Sequence, residues 1–111
     1  VVVLVTVPSE ARATDIAGVL LDERLAASVN IVPAIHSLYW WQGERRHADE
    51  VLLLIKTRTA PLERLVPVVR SRHPYKVPAI IALPIVSGFQ SYLDWIDQVV
   101  DPGLELDFSE P

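Results

Sequence analysis

The side chains in this sequence best suited to hold a ligand are His73, Tyr75, Glu50, Lys56 and Trp41. His73 falls at the end of an expected helix, close to Tyr75, and a neutral imidazole is a good ligand for copper or zinc. The competing reading is a helix-terminal ring that meets the last carbonyls and the negative end of the helix dipole. Glu50 opens an apolar stretch and is either a ligand or a solvated strand end. Lys56 closes that stretch; its amine could bind an anion, or its stem packs while the charge reaches water. Tyr39, Trp40 and Trp41 could stack on a planar ligand or close a pocket. Alternatively, together with Leu38, they form the core of a subunit interface. His36 and His47 show no ligand spacing to each other or to His73, and His47 lies in a polar break expected to face solvent. Asp94, beside Trp95, reads as an exposed helix residue.

For catalysis no comparable cluster exists, and an enzyme is not expected. The sequence has no glycine-rich phosphate loop, no dinucleotide fingerprint and no His-x-x-x-His. None of Ser37, Ser71, Ser87 and Ser91 sits in a nucleophile elbow. With no cysteine, a disulfide, an iron–sulfur cluster and a thiol nucleophile are all excluded. The net charge of -4 gives no electrostatic reason to expect nucleic acid or an anionic membrane as partner. No stretch approaches the length of a membrane span. Val1 to Val7 is too short for a leader core and has no basic residues ahead of it, so a cytoplasmic location is expected.

The elements that must position these side chains follow from periodicity. A chain of 111 residues, half of them apolar, suits one globular domain over 1–111. Val1 to Val7 is a β-branched strand ended by Pro8, and Ser9 is a helix N-cap with Glu10 in the first turn. Ala13, Ala17, Leu20, Leu21 and Leu25 recur at helical spacing to about Leu25. Ala27 to Trp41 is β-rich, with Pro33 marking an edge position or a bulge. Gln42 to Arg46 is a polar break with Gly43, and Val51 to Thr57 a buried strand. Thr59 and Pro61 open a second helix, in which Pro67 predicts a kink or a tightened turn. Pro78 to Ile85 is a further strand. Phe89 to Val99 gives a short helix, and Leu104, Leu106 and Phe108 alternate as in a small terminal strand.

That order is α+β: a ferredoxin-like βαββαβ sandwich with an extra C-terminal helix and short strand, and a long hairpin between the second and third strands. Two helices cover one sheet face, yet Val51 to Ile55 read as apolar on both. Ala27 to Trp41 would span about 50 Å as a strand, against a radius of gyration near 13 Å for a domain of this size. The hairpin must bend or overhang, and burial of Leu38, Tyr39, Trp40 and Trp41 against other copies would remove an aggregation hazard.

Five blocks carry a resemblance: Ala26-Ala27-Ser28-Val29-Asn30-Ile31-Val32-Pro33; Ser37-Leu38-Tyr39-Trp40-Trp41-Gln42-Gly43; Glu50-Val51 through Ile55-Lys56-Thr57; His73-Pro74-Tyr75-Lys76-Val77-Pro78 with Ile81-Ala82-Leu83-Pro84; and Tyr92-Leu93-Asp94-Trp95. In register over nearly the whole chain, they are similar to the CutA divalent-cation-tolerance family. The resemblance implies a homotrimer built through sheet edges, an architecture like that of PII signalling proteins, and a link to copper and other divalent cations. His73 matches the family histidine. Some bacterial relatives carry a copper-associated cysteine where Val5 stands here, so Cu(II) or another divalent cation is expected to bind only weakly. No organic cofactor is implied. Two roles lead, a ligand-binding or signalling trimer and a highly stable structural or chaperone-like trimer with protein partners and no specific metal site; a third, a hydrolase, rests only on a pocket between subunits.

Overall fold

The computed structural model describes residues 1–100; the expected strand at Leu104–Phe108 lies outside them. Four strands, β1 (Val2–Val7), β2 (Ser28–Trp41), β3 (Glu44–Lys56) and β4 (Ile80–Leu83), form one antiparallel sheet in the order β2-β3-β1-β4. Helices α1 (Glu10–Asp22), α2 (Leu62–Arg72) and α3 (Gln90–Val99) complete the described elements. The ferredoxin-like expectation holds.

On the inner sheet face, Val3, Val5 and Val7 of β1 pair with Ile55, Leu53 and Val51 of β3, and all six are buried. They join Ile16 and Leu20 of α1 and Leu65 and Val69 of α2 in one core. Ser9 caps α1, its Oγ accepting from the Arg12 amide at 3.2 Å. The buried stripe of α1 is Ala13, Ile16, Ala17 and Leu20; Leu21, expected in it, falls on its edge and is exposed. The helix also stops earlier than expected. It ends at Asp22, Arg24 turns the chain at φ 58°, and Leu25 enters the core from the following loop. α3 lies at one end of the sheet. The guanidinium groups of Arg24 and Arg58 donate to the carbonyls of Val99 and Asp97, both at 3.3 Å.

Two further expectations are corrected. The polar break at Gln42 to Arg46 shrinks to a tight turn at Gln42-Gly43, with φ of 50° and 78°, and β3 begins at Glu44 rather than Val51. Positive φ at both central residues matches the twist of a hairpin, and pairing with β2 holds the polar stretch extended. The strand expected from Pro78 to Ile85 narrows to Ile80–Leu83, because prolines at 78 and 84 cannot donate to a ladder. α2 includes Pro67, where a kink or a tightened turn is expected; the carbonyl that loses its helical partner is that of Glu63, in the exposed first turn.

The outer sheet face differs from the inner one. Val2, Leu4, Leu52 and Leu54 are only half-buried there, and Ile81 and Leu83 are exposed. The β2–β3 hairpin runs far beyond the core, giving a longest dimension of 56 Å and a radius of gyration of 15.3 Å. That exceeds the roughly 13 Å of a compact domain this size.

Candidate ligand-binding cleft

Pro33 marks a bulge, as expected. β2 advances three residues, Val32 to Ile35, while β3 advances two, Leu52 to Glu50. Ala34 takes the strained turn at φ 60°. Side chains alternate along a strand, so one extra residue exchanges the faces for everything beyond it. Before the bulge the even-numbered residues of β2 share a face with Leu52 and Leu54. After it, Ile35, Ser37, Tyr39 and Trp41 share that face with Glu50, Ala48 and Arg46. The insertion thus brings two aromatic rings to the side that carries Glu50.

The loop after α2 closes over this face. His73 is the C-cap of α2 and is buried. Its Nδ1 accepts from the Tyr75 amide at 3.1 Å, so the proton sits on Nε2, which donates to the Thr6 carbonyl at 2.7 Å. The ring lies 4.7 Å from that of Tyr75, tilted by 51°. Tyr75 then donates its hydroxyl to Oε2 of Glu50 at 2.8 Å. A chain of contacts from β1 through His73 and Tyr75 to β3 fixes the loop. Burial, reinforced by the hydrogen bond to Glu50 and its charge, pushes the Tyr75 phenol up to about 12, so it remains a donor at neutral pH. Between loop and hairpin lies an open cleft of about 860 Å³, walled by Tyr39, Trp40, Trp41 and Tyr75, with Glu50 in its lining and Arg46 and Lys76 among its other residues.

The structure gathers most of the residues singled out in the sequence and separates others. Glu50, Tyr75, Trp41, Tyr39 and Trp40 line the cleft, with His73 bracing its loop. Glu50 does not open a strand. It lies within β3 and is only 6% exposed, because the Tyr75 loop covers it. Lys56 lies at the far end of β3, six residues and about 20 Å along the strand from Glu50, and has no part in the cleft. Leu38 shares the opposite hairpin face with His36, His47 and Asp49, and is exposed. His47 sits in β3 rather than in a turn, and His36 meets Asp49 at 2.7 Å on the surface. Asp94 is an exposed residue of α3, accepting from Gln90 at 2.8 Å. Arg46, Lys76, Ser37 and Thr6 were not picked out in the sequence. Only the hairpin register, hidden behind the bulge, could have pointed to the first and third.

For a divalent metal the donor set of one chain does not fit. Both ring nitrogens of His73 are engaged by backbone groups, and no three His, Asp or Glu side chains converge among the described residues.

The CutA1 divalent ion tolerance model matches residues 1–99. The chain belongs to this family. Its sequence is 55% identical over 95 residues to the divalent-cation tolerance protein CutA of Thermus thermophilus, covering 86% of this chain and 92% of that one. It is 48% identical over 96 residues to the chloroplastic CutA 1 of rice, covering 86% of this chain but 54% of that longer protein. A solved structure of the Thermus thermophilus protein superposes with a TM-score of 0.88 at 52% identity, over 90% of this chain and 97% of that one. The ferredoxin-like sandwich and long hairpin of this CutA1-family chain therefore belong to a fold seen in solved relatives.

Proposed function

We propose that this CutA1-family protein works as a homotrimer that binds small ligands in the Glu50–Tyr75 cleft, in a PII-like sensing or carrying role rather than a catalytic one. The observation that carries the proposal is the unfinished state of one subunit. Its outer sheet face is apolar, β2 is an edge strand among the described residues, and Leu38 and Trp40 are 68% and 72% exposed on the hairpin. Exposed edges and apolar patches of this kind are normally covered. Copies of the same chain supply edge, apolar face and symmetry together, and they place the cleft at a subunit boundary.

Divalent cations, Cu(II) included, bind weakly in this reading. Exposed groups such as His36 and Asp49 hold them, since His73 offers no free lone pair and no thiolate exists. The cytoplasm remains part of the proposal. A stable trimer that serves mainly as a docking platform is the second reading, favoured by the same exposed hairpin.

Native mass spectrometry tests the proposal. The account expects a trimer at micromolar concentration and its dissociation by Trp40→Glu. A folded wild-type monomer with shielded tryptophans would contradict it.

A further inference from the structure

Glu50 is a largely buried carboxylate whose one bonded oxygen is held by Tyr75, while its other oxygen stays open to the cleft that it lines. It is 6% exposed, and its one hydrogen bond among the described residues comes from the Tyr75 hydroxyl. Among the described residues no cation pairs with it. Arg46, in the same cleft lining, turns instead to Glu44 at 3.5 Å, and Lys76 is exposed. The oxygen open to the cleft keeps acceptor capacity that the single phenol does not fill. Tyr39, Trp41 and Tyr75 line the same cleft, and aromatic rings attract a cation and shield it from solvent. A divalent metal needs several hard or imidazole ligands, and none besides Glu50 converges here among the described residues. An ammonium nitrogen needs one carboxylate and an aromatic wall.

We propose that the cleft takes a small organic amine in its protonated form, with the ammonium nitrogen on the Glu50 carboxylate and its carbon chain against Tyr39 and Trp41. The proposal rests on the ligand-binding reading above and adds the chemical class of the ligand. Tyr75 is the positioning residue: its hydroxyl holds one carboxylate oxygen and leaves the other for the incoming N–H.

The test is titration of the trimer, followed by tryptophan emission in an amine-free buffer, with n-butylammonium, n-butanol and butyrate. These probes share a chain length and differ in charge. The expected result is saturable binding of n-butylammonium, with the other two at least about tenfold weaker. Glu50→Gln is expected to lower n-butylammonium binding by at least about tenfold and to leave n-butanol unaffected. Glu50→Asp, which keeps the charge but shortens its reach, should fall between wild type and Glu50→Gln; it decides the matter if Glu50→Gln does not assemble. Equal binding of n-butanol, or unchanged amine binding by Glu50→Gln, overturns the proposal. Preferred binding of butyrate overturns the amine class and leaves a ligand-binding cleft standing. Silence from all three probes overturns the amine class, and together with a monomeric mass it removes the cleft reading as well.

Discussion

The two halves of the β2–β3 hairpin are built from the same pair of strands and do opposite things. At its root, β3 carries Val51, Leu53 and Ile55, which sink into the core beneath α1 and α2. Past the bulge at Pro33-Ala34, Leu38 and Trp40 stand exposed, and Tyr39 and Trp41 turn toward Glu50. The root is held by hydrophobic burial within one chain. The tip is held by ladder hydrogen bonds and by one loop, and leaves its apolar groups for something else to cover. One inserted residue therefore separates a stabilising element from one that turns its aromatic side chains to the face of Glu50.

Substitutions at the two ends sharpen that contrast. Leu53→Ala at the root is expected to cost about 3 kcal/mol in chemical denaturation, since it opens a cavity in a fully buried position. Leu38→Ala at the tip, measured in a Trp40→Glu background that keeps subunits apart, should change stability by less than about 0.5 kcal/mol. In the wild-type background its effect should appear as weaker assembly. Similar losses at both ends in the separated subunit would break the comparison.

Next in size is the loop that closes the cleft. The Tyr75 phenol is raised in the folded protein to about 12 from its ordinary 10.0, by burial first and then by Glu50. Its contribution to stability is therefore complete below pH 10, and is lost as pH rises from there to about 12. Tyr75→Phe should show a shallower fall than wild type over that window in pH-dependent thermal unfolding; coincident curves would remove the hydrogen bond from the account. Smallest is the bulge itself. Ala34→Gly relieves the positive φ of 60° and is expected to gain about 1 kcal/mol or less, while leaving the tip register unchanged. A marked loss would show that Ala34 is held there by contacts rather than strained.

Much of this could be seen in the sequence, and the failures have a pattern. β-branched runs and amphipathic spacing announce β1, α1 and α2, because their burial is local in origin. The first half of β3 was hidden, since Glu44-Arg45-Arg46-His47 is polar and becomes strand only through pairing with β2. Pro33 announced a bulge, but not its consequence: which face Tyr39 and Trp41 occupy depends on the count of residues on both strands. Glu50 looked like a strand end because the loop that buries it arrives from Tyr75, distant in sequence. Lys56 counts with Glu50 among the ligand candidates by residue type, yet six residues along an extended strand set the two about 20 Å apart.

Hydrogen exchange at the edge of β2 tests the central claim, that other copies complete the sheet of each subunit. The backbone amides of Ser28–Trp41 that do not bond to β3 should exchange slowly in the wild-type protein and rapidly in Trp40→Glu. Rapid exchange of those amides in the wild type would show an open edge and contradict the account.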